Sequence, residues 1–136
     1  MRRYIFKYSP EPSKRGVVHR PIAHVLLQSK GGAWRLFYPY VDSGADISFF
    51  RKSDASLLQL SLYAGEYSPI LGVGKILMPA YIHNVKTKIG DTVMDVNVAF
   101  ADSDEVSRLL GRAGVFNRFR ITFDEANLQT IFESRE

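Results

Sequence analysis

Cysteine is absent from this 136-residue chain, which removes thiolate nucleophiles, thiolate metal sites and disulfide or redox chemistry together. Long apolar runs are absent too, since nothing approaches the roughly 18 to 20 residues of a membrane-crossing helix. The opening Met1-Arg2-Arg3-Tyr4 is not followed by the apolar stretch of a secretory signal. A soluble, cytoplasmic protein without membrane association is therefore expected. Histidine is scarce, and His19, His24 and His83 have no second ligand at the spacing of a zinc site, so neither a metal nor another cofactor is expected. Heptads, low-complexity tracts and solenoid repeats are missing. Charge of one sign is only slightly in excess, with 18 basic against 14 acidic side chains. The basic residues are scattered apart from Lys14-Arg15 with Arg20 nearby, which argues against a nucleic-acid partner.

What the chain does have is material for a core. Its apolar fraction of 46%, with nine Phe and seven Tyr, excludes disorder. A domain of this length buries about two-thirds of its unfolded surface and needs no metal or disulfide staple. One domain over residues 1–136 is expected, with 1–19 set apart as an N-terminal extension and the Pro- and Gly-containing stretch around Lys14-Arg15 read as a solvated loop.

Turn signals recur every eight to fifteen residues, separated by alternating or short β-branched and aromatic blocks, which predicts mostly strand. A first strand at Tyr4 to Tyr8 ends in Ser9-Pro10-Glu11-Pro12. Ile22 to Gln28 and Trp34 to Val41 read as a hairpin around Ser29-Lys30-Gly31-Gly32, whose glycines suit positive φ. Trp34, Leu36, Tyr38 and Tyr40 share one face, and Pro39 marks an edge or bend. Ser53 is a candidate cap for a short helix. Pro69 to Val85 reads as a hairpin with a loose tip at Gly72 and Gly74. Lys86 to Ile89 and Val93 to Phe100 pair around Gly90-Asp91, with Val96, Val98 and Phe100 on one face. A second short helix is expected after Gly111, ending near Arg118, and a hairpin around Asp124 to Asn127 closes the chain. Phe116, Phe119, Ile121 and Phe123 read as core rather than as a stacking platform.

Chemistry concentrates where an apolar strand runs into Asp42-Ser43-Gly44-Ala45-Asp46. The strand end presents Asp42 on a tight turn, Gly44 permits close backbone approach, and Ser43 can anchor the turn. An ordinary Asx turn would look similar, but this four-residue pattern arises by chance in well under about one chain in a hundred of this length. A second stretch, Arg108-Leu109-Leu110-Gly111-Arg112, runs two apolar residues into a glycine and an arginine.

Together these stretches resemble the two signatures of the retropepsin-like aspartic proteases. Gly72-Val73-Gly74-Lys75 lies where that family keeps its flap hairpin, and the resemblance extends from about Arg20 to Phe132. It implies an all-β, closed retropepsin-like barrel with a flap and one or two short helices, acting as an aspartic endopeptidase on extended peptides or proteins. Only one Asp-Ser-Gly motif is present, so the resemblance implies an obligate or near-obligate homodimer in which Asp42 of each copy supplies one carboxylate. Ser43 would bond across the dimer axis, and Gly44 and Ala45 would offer backbone to the site. Asp46 and Arg112 would pair within the chain, with Gly111 beside them, and Gly72 to Lys75 would close over the peptide. Ile47, Phe49 and Phe50 either line pockets or pack, with packing the first assignment.

Other chemistries fit less well. Ser43 lacks the nucleophile-elbow setting of a serine hydrolase, and Gly72-Val73-Gly74 lacks the third glycine and following helix of a dinucleotide fingerprint. Asp102, Asp104 and Glu105 lack calcium-loop spacing and read as a solvated turn. The remaining rivals are a retropepsin-like dimerisation or peptide-binding module with little proteolysis and, more distantly, a small basic β-barrel that binds nucleic acid.

Overall fold

The computed structural model describes residues 1–135, and nearly all its regular structure is extended. It opens with β1 (Arg3–Lys7), β2 (Ser9–Ser13) and β3 (Gly16–Arg20). Where the sequence suggests a loop, β2 and β3 form a ribbon running from Ser9 opposite Arg20 to Ser13 opposite Gly16. Two prolines fit because Ser9, Glu11 and Ser13 supply the N–H groups facing β3, while Pro10 and Pro12 face away from the ladder. The hairpin of β4 (Val25–Gln28) and β5 (Trp34–Phe37) forms as expected. Only one of its two glycines uses positive φ, Gly32 at +100°. Gly31 is instead held by its amide, which donates to Gln59 Oε1 at 2.8 Å. The face carrying Leu36 and Tyr38 is the solvent face, and Phe37 and Val41 turn inward.

Next come β6 (Tyr40–Val41), β7 (Ser48–Phe50) and α1 (Lys52–Leu57). The helix starts ahead of Ser53: Arg51 is the N-cap, and its amide donates to Asp54 Oδ2 at 3.0 Å. Beyond it lie β8 (Glu66–Tyr67), β9 (Ile70–Leu71), β10 (Leu77–Met78), β11 (Ala80–Ile89), β12 (Thr92–Ala101), β13 (Leu109–Leu110), β14 (Phe119–Asp124) and β15 (Gln129–Ser134). The second α-helix expected after Gly111 is not formed; the segment makes turns and a short 3-10 helix, Phe116–Arg118. Gly114 at φ +75° breaks the right-handed run.

The main sheet runs β5-β4-β11-β12-β7-β13-β6, with β8 also on β11, and a terminal sheet runs β1-β15-β14. β11 and β12 pair over their full length around Gly90-Asp91. Met94, Val96, Val98 and Phe100 point into the core while Val93, Asp95 and Asn97 face water, the two-residue period of a half-buried strand. The closed barrel implied by the resemblance is not reached. The sheet curls into a half-barrel whose end strands, β5 and β6, remain unpaired with each other. Pro39, between them, has no N–H for a ladder, and its carbonyl accepts the Ala23 amide at 3.2 Å. Inside the curl, Phe50, Phe100, Phe119 and Phe132 are fully buried with Leu27, Leu58 and Leu110, each contributing about 1.5–3 kcal/mol by leaving water. Phe116 and Ile121 pack partly against this core, but Phe123 is 41% exposed and lies outside it. No helix among the described residues is long and apolar enough to cross a membrane.

Candidate active site

Three short strands position Asp42. β13 lies parallel to β6, with Leu109 beside Tyr40 and Leu110 beside Val41. On its other side Leu109 meets Phe49 of β7 in antiparallel sense. The chain therefore leaves β6, makes the Asp42 to Ile47 loop, and returns on the far side of β13. Main-chain bonds fix the exit, since the Tyr40 amide donates to the Arg108 carbonyl and the Asp42 amide to the Leu110 carbonyl, both at 3.0 Å. The loop then closes on itself. The Gly44 amide donates to Asp42 Oδ1 at 2.8 Å, and the Ala45 amide to the Asp42 carbonyl at 3.2 Å.

Close approach requires a glycine at position 111 and makes position 44 tight. A Cβ on Gly44 would stand 3.2 Å from Asp42 Oδ1, crowding the carboxylate. On Gly111 it would stand 2.8 Å from the Ser48 amide nitrogen and overlap the Ile47 carbonyl. Gly111 is locked further by its own amide, which donates to the buried Ser48 hydroxyl at 3.0 Å. Ser48 escapes sequence reasoning because a serine in Ser48-Phe49-Phe50 carries no local signal of this role.

Asp46 and Arg112 lie near each other but make a loose pair. Arg112 Nη1 is 3.9 Å from Asp46 Oδ1, and the two side chains are 61% and 97% exposed. At that distance in water the attraction is worth little. The connection is instead made by the backbone: the Arg112 amide donates to the Ala45 carbonyl at 2.9 Å and the Ala113 amide to the Asp46 carbonyl at 2.8 Å.

A stronger pair, invisible in the sequence, braces the site from behind. Arg108 Nε donates to Asp54 Oδ2 at 2.8 Å and Nη2 to Oδ1 at 3.1 Å, with the Asp54 side chain only 4% exposed. The Asp54 carboxylate raises the Arg108 pKa further above its ordinary value, against an opposing effect of burial. Arg108 immediately precedes β13, so this fork joins α1 to the strand that holds Tyr40 and Asp42. Tyr40 is anchored on the other side by the ribbon, its hydroxyl donating to both Glu11 oxygens at 2.9 and 2.7 Å. That bond, reinforced by burial, raises the Tyr40 pKa.

Facing the loop is a hairpin. β9 and β10 pair antiparallel, and their connection runs through Gly72, Val73, Gly74 and Lys75, with Gly74 at φ +76° and Lys75 at φ +61°. Between this tip and the loop lies a cleft of about 520 Å³ lined by Asp42, Gly44, Ala45, Asp46, Ile47, Phe49, Ile70, Leu71, Gly72, Val73 and Leu109. Sequence reasoning favours packing for the three residues after the motif. Phe50 is core, whereas Ile47 and Phe49 border the cleft. Ile70 and Leu71, which stand in neither motif, join the wall together with Leu109 of the second motif. Two carboxylates at the loop, Asp42 and Asp46, an apolar wall and a glycine-bearing hairpin make a groove suited to an extended chain. Ser43 is exposed on the loop, free to meet a neighbouring molecule.

No protein-family model matches this chain, and no curated protein matches its sequence. Solved structures do. A retropepsin-like aspartic protease from Rickettsia conorii is 18% identical, covers 96% of this chain and 98% of its own, and superposes with a TM-score of 0.66. EIAV protease complexed with an inhibitor is 23% identical, with 68% of this chain and 82% of that chain covered and a TM-score of 0.53. The chain has the retropepsin-like fold.

Proposed function

We propose that this protein is an aspartic endopeptidase whose working unit is two copies of the chain, each contributing Asp42. The observation that carries this reading is the cleft in which Asp42, at the mouth of a loop fixed by three strands, faces a glycine-bearing hairpin across an apolar groove. The fold shared with a structure described as a retropepsin-like aspartic protease supports it.

The chemistry follows from bringing the two Asp42 carboxylates together. Two such groups about 3 Å apart cannot both ionise, so the pair holds one proton. The ionised member takes a proton from a water, whose oxygen bonds to the scissile carbonyl carbon, while the protonated member gives its proton to the carbonyl oxygen. The dyad then passes its proton to the amide nitrogen, the C–N bond breaks, and a hydroxyl of the collapsing tetrahedral intermediate gives a proton back to the dyad, restoring its one-proton state. The Gly44 amide, donating to Asp42 Oδ1, helps hold the plane of the carboxylate. Ser43 bonds to the partner's loop, and the hairpin at Gly72 to Lys75 closes over the peptide and excludes water. Strand addition by the peptide backbone supplies binding without strict side-chain demands.

The test is incubation of an unfolded protein substrate with the full chain at mildly acidic pH, with new amino termini identified. Cleavage within extended segments is expected, and complete absence of cleavage at every protein concentration sinks the reading. A second reading applies to the isolated copy. The groove lies within one chain, so a monomer retains a peptide-binding surface with only half of the catalytic pair.

A further inference from the structure

We infer that the N-terminal ribbon is a clamp on the strand that carries Asp42, and that Glu11 and Tyr40 are positioning residues for that carboxylate. The inference rests on the aspartic-protease reading above. Its basis is the place of β6 at the end of the main sheet. That strand has only two residues, and Asp42 follows it directly. β13 covers one of its edges. The other would stand open as the last edge of a half-barrel, but the segment leaving the ribbon lies along it. The Val41 amide donates to the Pro21 carbonyl at 3.0 Å and the Ala23 amide to the Pro39 carbonyl at 3.2 Å, with Ile22 bridged antiparallel to Tyr40. The far end of that segment is held by the Thr130 hydroxyl, which donates to the Ile22 carbonyl at 2.8 Å. Its near end is the ribbon, so the seating of the ribbon sets how firmly Pro21 is held against Val41.

The ribbon in turn has a single polar grip on the body of the protein. β2 and β3 pair only with each other, and a two-stranded hairpin by itself is marginally stable in water. Among the described residues, the only side-chain hydrogen bonds from the ribbon to the rest of the chain are those that Glu11 accepts from the Tyr40 hydroxyl, at 2.9 and 2.7 Å. Arg20, the last residue of β3, stands 3.8 Å from the same carboxylate and ties the two strands together at that point. The Glu11 side chain is 34% exposed, and a hydrogen bond to an ionised acceptor is of the stronger kind. Neither Glu11 nor Tyr40 lines the cleft. They therefore act on the placement of Asp42 and leave the walls that hold the peptide unchanged. Misplacing a catalytic group by about 1 Å costs on the order of a hundredfold in rate, so a slight loosening of β6 has a measurable effect.

The experiment measures kcat and KM for one extended peptide, together with amide hydrogen exchange at Asp42 and Gly44, in the native full chain and in its variants. Tyr40→Phe keeps the ring and removes only the hydroxyl, so the chain stays folded while the bond is lost. This variant and Glu11→Ala are each expected to lower kcat about tenfold or more with KM within about twofold. Both should speed exchange of the Asp42 amide, which in the native chain is bonded to the Leu110 carbonyl. The double variant should be no worse than either single one, because both remove the same bond. Glu11→Gln retains an acceptor oxygen and should recover most of the loss. Val17→Ser, on the exposed surface of the ribbon, should match the native chain. Native kcat in both Tyr40→Phe and Glu11→Ala overturns the inference, as does a loss that falls on KM alone. If the native chain hydrolyses nothing, the protease reading falls and amide exchange decides the clamp: faster exchange at Asp42 and Gly44 in these two variants sustains it, and native exchange overturns it.

Discussion

Arg108 and Asp54, which lie 54 positions apart in the sequence, form a two-point fork between the strand behind the candidate catalytic loop and the helix after it. Its members are unequally buried, the Asp54 side chain being 4% and the Arg108 side chain 33% exposed. That asymmetry sets the first prediction. Arg108→Leu strands a carboxylate in the interior and should cost about 3 kcal/mol or more. Asp54→Asn leaves a guanidinium that can turn toward water, and should cost about 1–2 kcal/mol. Urea unfolding of both variants measures the order, and an equal or reversed ranking would contradict the account.

The loose Asp46 and Arg112 pair gives a contrasting expectation. Because the connection between the two segments runs through their main-chain bonds, Arg112→Ala should change unfolding free energy by less than about 1 kcal/mol. Gly111→Ala should do far more, since its Cβ overlaps the Ile47 carbonyl. A marked fall in melting temperature for Gly111→Ala beside a small one for Arg112→Ala is the expected pattern. A large loss from Arg112→Ala would restore the ion pair as the main tie.

These two cases also mark what the sequence makes legible. Asp42, Gly44, Gly111 and the glycine-bearing hairpin are readable because each belongs to a contiguous motif whose spacing has a local physical meaning. Asp54 and Arg108 meet only through the three-dimensional course of the chain; Arg108 borders the second motif, but nothing in the sequence marks Asp54 as its partner. The ribbon at Ser9 to Arg20 is hidden for a different reason. Two prolines argue against a strand unless it is known that they fall on its outward side. The open half-barrel and the missing final helix depend on Pro39 and Gly114, single residues whose effects emerge only in tertiary context.

Tyr40 provides a pH test. Its pKa is raised above 10.0 by the bond to Glu11 and by burial, so the fold favours the neutral phenol. Its contribution to stability is therefore complete below pH 10 and declines as pH rises through the folded value. Ultraviolet titration should show a late-ionising tyrosine that moves toward its ordinary value in Glu11→Ala. An unchanged titration in that variant would remove Glu11 as the main cause.

The central claim is that Asp42 performs the hydrolysis, and the most direct measurement is the cleavage rate of one extended peptide by the native chain and by Asp42→Asn at the same protein concentration. The substitution keeps the size of the side chain and an oxygen for the Gly44 amide, and removes only the ionisable group. The account predicts a loss of at least about a thousandfold, as expected when the group that activates water is lost. Cleavage that continues at the native rate in Asp42→Asn would contradict it.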